Sequence, residues 1–134
     1  MTGLRLVISV NAMVYLAERD DYTSACVVAK ATGASHSNMT RALSLLIKDG
    51  LLKVTKGPTG GYRLARGPED ITILEIARAI GEGSSLSTTY GERNRTWLWE
   101  EFDRMANAFL TSTTLYAVIV HNRQRDARKE VVRS

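Results

Sequence analysis

The sequence predicts a mainly α-helical fold with one small β-hairpin. Apolar residues recur at spacings of three and four in several segments, whereas one short region alternates apolar and polar residues on both sides of a glycine-rich turn. The 134 residues are 44% hydrophobic and 24% charged, which is typical of a single soluble domain that buries a core without disulfides. Cys26 is the only cysteine, so we expect no internal disulfide, no multi-thiolate metal site and a reducing, cytoplasmic location.

Three helices are predicted before the hairpin, and their spans are residues 4–19, 24–31 and 35–50. The first is apolar nearly all round a helical wheel, which favours a helix covered by neighbours on most sides. The second ends at Gly33, and Ser35 is the N-cap of the third. A helix, a turn of about four residues and a second helix therefore follow one another. No apolar run is long enough to span a bilayer, so we expect no membrane segment.

The β-hairpin follows the third helix. Leu52 and Val54 alternate with polar residues, which predicts a short half-buried strand. Residues 57–61 contain three glycines and a proline and predict a tight turn. Tyr62 and Leu64 then return on the partner strand.

Further helices are predicted after the hairpin. Thr72 and Glu75 form a capping box that starts a fourth helix. A long helix is expected from Glu92, and a short last helix is expected to end near Asn122, before a charged tail that we expect to be frayed. We divide the chain into a domain of four helices and a hairpin (1–83), a flexible loop (84–91), C-terminal helices (92–122) and a charged tail (123–134).

Basic residues are concentrated in one block of the chain. The net charge is +4 overall, but residues 30–66 hold seven basic side chains against Asp49 alone, a net charge of +6. The flanking blocks 1–29 and 67–122 have net charges of −1 and −4, and residues 123–134 have +3. A locally basic block in a nearly neutral protein indicates a surface that binds a polyanion.

Three helices followed by a basic hairpin with a glycine-rich tip are typical of a winged helix-turn-helix domain. In that arrangement the third helix enters the major groove of DNA and the hairpin, or wing, touches the adjacent backbone. Small hydrogen-bonding residues and one arginine occupy the exposed face predicted for the third helix, and Asn and Arg can read base edges while Ser and Thr reach phosphates. The candidate DNA-binding residues are Ser35, His36, Ser37, Asn38, Thr40, Arg41 and Ser44 on the helix, and Lys56, Thr59, Gly60, Gly61 and Arg63 on the wing.

The long helix carries an apolar stripe that predicts dimerisation. Its members are spaced four, three and four residues apart, the spacing of a helix-pairing seam, and they are Leu98, Phe102, Met105 and Phe109. A winged-helix monomer reads too few base pairs for useful selectivity, so we expect a homodimer.

A family resemblance supports these predictions. The run from Gly57 to Arg66, with Pro68 to Thr72 and then Ile76, resembles the wing and post-wing signature of the Rrf-two family of bacterial transcription regulators. That family includes an iron–sulfur cluster regulator, a nitric-oxide-sensitive repressor and a cysteine-metabolism repressor. The resemblance covers about residues 4–120 and implies a homodimer, joined through the long helix, that binds a near-palindromic operator.

The sequence departs from the cluster-bearing members of that family. They carry three cysteines in the loop that corresponds to residues 83–95, and this chain has none there. We therefore expect no iron–sulfur cluster, no other cofactor and no metal. The inducing signal is then expected from a small molecule near Trp97 or Trp99, from a partner protein, or from oxidation of Cys26, although a cysteine on an apolar helical face is more often a small buried hydrophobe.

The sequence does not predict an enzyme. It shows no nucleophile with a base and no carboxylate pair in a cleft, and the glycine-rich turn lacks the Lys-Ser/Thr of a phosphate loop. The alternative to a DNA-binding repressor is a winged-helix protein-interaction module whose basic wing docks an acidic partner. Binding to DNA of mixed sequence across a salt titration distinguishes the two.

Overall fold

Six helices, a two-stranded hairpin and a 3-10 turn make up the part of the chain that the structure, a computed structural model, describes: residues 3–81 and 97–133. In chain order the elements are α1 (Gly3–Ala17), α2 (Ala25–Thr32), α3 (His36–Lys48), β1 (Leu52–Thr55), β2 (Gly61–Leu64), the 3-10 turn Pro68–Asp70, α4 (Ile73–Ala79), α5 (Trp97–Ser112) and α6 (Leu115–Arg133). The mainly α-helical fold with one hairpin, predicted above, is confirmed. The predicted loop 84–91 and the start of the long helix at Glu92 lie outside the described residues.

Helix caps fix the helix-turn-helix. The Ser24 side chain accepts a hydrogen bond from the backbone N–H of Val27 at the start of α2, and Gly33 ends that helix with φ 76°. Ser35 Oγ accepts a hydrogen bond of 3.1 Å from the backbone N–H of Asn38 at the start of α3. Each cap satisfies an N–H group that the helix itself leaves without a partner, so the turn between α2 and α3 has a defined length.

The core lies where α1 packs against α2, α3 and α4. The largest fully buried side chains come from α1, α3, α4 with the residues that lead into it, and the start of α6, and they are Met13, Leu16, Met39, Leu43, Leu46, Ile71, Ile76 and Leu115. Leu115 is held in place by a backbone hydrogen bond of 2.8 Å to the carbonyl of Ile71, and the N–H of Ile73 reaches the carbonyl of Thr113 at 2.9 Å. These bonds tie the start of α6 to the start of α4.

The wing is anchored to the helix-turn-helix. Strands β1 and β2 are antiparallel, and the backbone of Tyr62 also exchanges hydrogen bonds of 2.8 and 3.0 Å with Thr23, just before α2. Gly61 makes this approach possible, because a Cβ atom there would lie 2.3 Å from the carbonyl oxygen of Thr23, and because its φ of 153° is unfavourable for other residues. Val54, which the alternation predicts to be half-buried, is 46% exposed. Its position near the tip of a two-stranded hairpin explains the difference, since no second layer covers that face.

The C-terminal helix is longer than predicted. It continues from Leu115 to Arg133, whereas the sequence analysis ends it near Asn122 and expects the tail to be frayed. Residues 123–133 contain neither glycine nor proline, and seven of the eleven are Arg, Ala, Lys or Glu, four of them Arg, all of which favour helix. Arg123 also pairs with Glu18 at 3.5 Å, just beyond the end of α1. Across the described ranges, none of the helices combines the length and the apolar character that crossing a bilayer requires.

Glu75 joins the capping box of α4 to the end of the wing. Its carboxylate accepts hydrogen bonds from the backbone N–H of Thr72 at 3.3 Å and from the guanidinium of Arg66. Burial alone would raise the pKa of Glu75, but the hydrogen bonds and the charge of Arg66 outweigh it and lower the pKa below its ordinary value of 4.5. The carboxylate therefore stabilises the folded state above about pH 4.5, and this contribution is lost as the pH falls through the lowered pKa.

We expect Glu75→Gln to lower the free energy of unfolding at pH 7 by less than about 1 kcal/mol, because the ion pair is partly exposed while Gln keeps the capping geometry. Urea unfolding of both proteins at pH 7 and pH 3 measures the effect, and the difference should vanish at the lower pH. Glu100→Gln on α5, also exposed, is the matched control and should change neither value. An equal loss at both pH values would contradict an electrostatic role.

Candidate nucleic-acid interface

Helix α3 has one buried face and one exposed face. Met39, Ala42, Leu43 and Leu46 are buried against the rest of the domain. The opposite face is open to solvent, and it carries Ser35, His36, Ser37, Asn38, Arg41 and Ser44, with Thr40 half-buried at its edge. The structure therefore brings all seven helix candidates of the sequence analysis to one exposed surface.

The hydroxyl groups on this face differ in whether they can still donate a hydrogen bond to a ligand. Thr40 Oγ1 donates to the carbonyl of His36 at 2.8 Å, and Ser44 Oγ donates to the carbonyl of Thr40 at 3.0 Å. Both hydroxyl protons are thus engaged within the helix and only their oxygen lone pairs face outward. Ser35 Oγ instead accepts the N-cap bond, which leaves its proton free to donate to a phosphate oxygen.

The wing carries further exposed polar and basic side chains. Lys56, Thr59 and Arg63 are exposed. Gly60 and Gly61 serve the shape of the turn, since a Cβ atom at Gly60 would lie 2.3 Å from the carbonyl oxygen of Thr55. Gly61 is buried against Thr23 and Gly60 is half-buried, so the exposed members of the five wing candidates are Lys56, Thr59 and Arg63.

The basic charge of this surface is not neutralised internally. Within the described residues, none of Arg41, Lys56 and Arg63 forms an ion pair with a carboxylate. Arg66, by contrast, is paired with Glu75. Asp49, the single acid of the block, sits at the C-terminal end of α3, away from the polar residues of its first turns. Unpaired cations beside hydrogen-bonding side chains suit contact with a polyanion.

Helix α5 leaves its apolar side chains exposed. None of its residues is buried, and the four members of the predicted stripe are between 51% and 65% exposed: Leu98, Phe102, Met105 and Phe109. An exposed apolar stripe of this kind is typical of surfaces that bind another protein.

The proposed sensor residues are all accessible. Trp97 is 74% exposed and Trp99 is 44% exposed, with the ring of Trp99 meeting Phe102 edge-on at 6.2 Å between centroids. Cys26 is exposed, so its interpretation as a small buried hydrophobe is wrong. The buried face of α2 is formed by Val28 and Ala29, and Cys26 lies outside it.

Two features of the site were missed by sequence reasoning. Thr23 pairs with Tyr62 along the edge of the wing, and the only signal for it was the glycine at position 61. Ser9, a polar residue within an apolar helix, is completely buried next to Arg41 and Asn38, where the three line one cavity. The sequence signal for this buried serine is that it interrupts an otherwise apolar run.

The fold and this surface define a winged helix-turn-helix protein of the DNA-binding class. The model of the Rrf2 (Rrf-two) family, described as "Iron-dependent Transcriptional regulator", matches residues 4–121. The chain belongs to this family of transcription regulators, as its wing signature led us to expect. Because the members of this family are transcription regulators, the chain is not an enzyme.

Several relatives and solved structures are similar to this chain. The transcriptional regulator NsrR of Halalkalibacterium halodurans is 27% identical over 110 residues, 81% of this chain and 75% of that protein. IscR of Aliivibrio salmonicida is 26% identical over 103 residues, 71% of this chain but only 61% of the relative. The global cysteine regulator CymR of B. subtilis superposes with a TM-score of 0.74 at 26% identity, covering 87% of this chain and 94% of that chain. IscR of T. potens gives a TM-score of 0.73 at 28% identity, covering 88% and 85%.

The iron dependence named in the family description does not fit the donor groups of this chain. The sequence has one cysteine, and Cys26 lies exposed on α2. Within residues 3–81 and 97–133, no three His, Cys, Asp or Glu side chains lie close enough to hold a metal ion. Iron–sulfur clusters need several thiolate or imidazole ligands, so these residues do not supply such a site.

Proposed function

We propose that this protein is a homodimeric, sequence-specific regulator that binds double-stranded DNA at a near-palindromic operator and represses transcription without an iron–sulfur cluster. The observation that carries the proposal is the exposed face of α3, which presents Asn38 and Arg41, together with the exposed wing cations Lys56 and Arg63, which have no carboxylate partner within the described residues. A dimer bound across a promoter excludes RNA polymerase from the same DNA, which is why we propose repression.

The two groups of side chains have different roles in this proposal. Arg41 and Asn38 read base edges in the major groove, since Arg pairs with guanine and Asn with adenine through two hydrogen bonds. Ser35, Ser37 and Lys56 position the DNA backbone, as do His36, Thr59 and Arg63 at the margins of the surface. Thr40 and Ser44 can only accept, so they suit cytosine or adenine amino groups rather than phosphates.

Dimerisation through α5 would complete the site. Two copies that bury their Leu98, Phe102, Met105 and Phe109 stripes against each other would place two α3 helices about one turn of DNA, roughly 34 Å, or a multiple apart. The stripe is apolar and lies on a helix with no buried residue, which suits pairing with an identical helix.

Lys56→Ala should weaken binding to specific and random DNA by the same factor. An exposed lysine that contacts phosphate releases counterions on binding, so its removal should also lower the slope of log K against log salt by about 1. Fluorescence anisotropy across a salt series measures both quantities. Lys30→Ala on α2 is the control with the same charge change, and its slope should stay nearer the wild-type value. A loss confined to the specific site would contradict the phosphate contact.

A salt titration with duplex DNA of mixed sequence tests the proposed function against protein interaction. We expect binding that weakens steeply with salt, and tighter binding to promoter fragments selected by the protein from genomic DNA. Binding to polyglutamate of the same total charge, which represents an acidic protein partner, is measured for comparison. Binding to polyglutamate as tight as binding to duplex DNA would instead favour a protein-interaction module.

A further inference from the structure

A cavity of about 190 Å³ lies between α1, α3 and the end of α4. Its polar wall is formed by Arg5, Ser9, Asn38 and Arg41, and its apolar wall includes Ile8 and Ile80. This volume is below the roughly 300 Å³ at which pockets for drug-sized ligands begin. It therefore suits a small metabolite rather than a drug-sized ligand.

Ser9 gives the cavity an unused hydrogen-bonding group. The residue is completely buried in the middle of α1, and its Oγ has no hydrogen-bond partner among the described residues. A serine in a helix can bond back to a carbonyl one turn earlier, as Thr40 does on α3, but Ser9 does not. Buried hydroxyls without partners are rare and destabilising, so a ligand that bonds to Ser9 gains from a group already removed from water.

Two arginines determine the charge that the cavity accepts. Arg5 and Arg41 both line it, and no acidic side chain is among the described residues that line it. Within the described residues neither arginine has a carboxylate partner. A guanidinium group matches a carboxylate through two parallel hydrogen bonds. The other described lining residues are aliphatic: Ile8, Ala42, Leu45 and Ile80. The complementary ligand therefore combines a carboxylate with a short branched apolar group.

We propose that this cavity binds a small aliphatic carboxylate, with the carboxylate on Arg5 and Arg41 and a hydrogen bond from Ser9, and that the bound ligand lowers DNA affinity. Arg41 and Asn38 line the cavity and also belong to the exposed face of α3. A ligand that holds the Arg41 guanidinium keeps it from base edges. The effect on DNA rests on the proposed function, whereas binding of the carboxylate does not.

The test uses 3-methylbutanoate as the probe and 3-methylbutanamide as its neutral counterpart of the same shape. Titration of the ¹⁵N-labelled full chain without DNA should give saturable shifts at residues around the cavity with the carboxylate at up to roughly 10 mM, since ligands of this size bind in the millimolar range. The amide should give at least tenfold weaker binding. Equal binding of the two, or no saturable shift with the carboxylate, would overturn the proposal.

Two variants locate the site. Ser9→Ala should weaken carboxylate binding about threefold to tenfold without lowering the unfolding midpoint in urea, because no protein hydrogen bond is lost. Arg5→Gln should weaken it about tenfold, while Arg128→Gln, an exposed arginine on α6, should leave it unchanged. Shifts that are insensitive to Ser9→Ala and Arg5→Gln would overturn the assignment of the cavity.

A second readout separates the inference from the proposed function. Carboxylate at saturation should lower DNA affinity of the wild-type protein at least tenfold at constant ionic strength, with no such effect in Arg5→Gln. Saturable carboxylate binding with unchanged DNA affinity would refute the regulatory part of the proposal. A protein that binds the carboxylate but no DNA would refute the proposed function and leave the ligand site standing.

Discussion

Met105→Asp should convert the dimer into monomers and lower affinity for the selected operator at least about 100-fold. The side chain is 65% exposed in one protomer and lies in the middle of the apolar stripe. In a two-fold dimer the substitution places two carboxylates in one apolar interface, and a buried charge without a partner costs several kcal/mol. A monomer binds only one half-site, so it loses the additional affinity that a dimer gains by binding both half-sites at once.

Sedimentation velocity at micromolar concentration and anisotropy with the operator measure these two effects. Asn107→Asp is the matched control, because it adds the same charge to an exposed position on the opposite side of α5. It should remain a dimer with nearly wild-type DNA affinity. Far-UV circular dichroism should be unchanged in both variants, since neither residue is buried in the protomer. A wild-type protein that sediments as a monomer would contradict the dimer.

Arg41→Ala should weaken operator binding by about 1 to 3 kcal/mol per half-site and relax the preference at one base position in each half-site. The physical reason is that Arg41 is exposed in the middle of α3 with no carboxylate partner within the described residues. Affinity for random DNA should fall much less, because on random DNA the Arg41 guanidinium contacts phosphates rather than a matched base.

Competition between the selected operator, single-base variants of it and random duplex measures this difference. Lys48→Ala is the control on the same helix, as Lys48 is exposed but lies in the last turn of α3. It should leave the base preference intact. Equal losses on operator and random DNA in Arg41→Ala would make Arg41 a phosphate contact and move base reading to other residues of α3.

Local sequence signals predicted the parts of the fold that depend on local chemistry. Ser35 and Thr72 were predicted as N-caps and are N-caps in the structure, because each can satisfy an N–H group of the next turn. The glycine-rich turn also predicted the wing correctly, since few other residues adopt that backbone.

Features that depend on tertiary packing were predicted less well. The alternation at Val54 is compatible with a half-buried strand, but only the assembled fold shows that no layer covers this side of the wing. Cys26 lies near an apolar helical face, and only the packing of α2 places Val28 inside and Cys26 outside. Helix α6 is longer than predicted because residues 123–133, although densely charged, have high helix propensity.

In the candidate site, too, the features that depend on local sequence were predictable and those that depend on tertiary packing were not. The exposed residues of α3 follow from helical periodicity, because the buried face of that helix is readable from its apolar spacing. The cavity beside it was not predictable, since it depends on how α1 crosses α3 and on which residues then face each other. Ser9 and Arg5 are far from Arg41 in sequence, and no local pattern connects them.

Hydroxyl-radical footprinting on the operator with the highest affinity tests the central claim most directly, because it reports both DNA contact and dimer symmetry. We expect two equivalent protected regions related by two-fold symmetry, with centres about 34 Å or a multiple apart, at a stoichiometry of two chains per site. A single asymmetric protected patch, or protection no different from that of random DNA, would contradict a dimeric, sequence-specific winged-helix regulator.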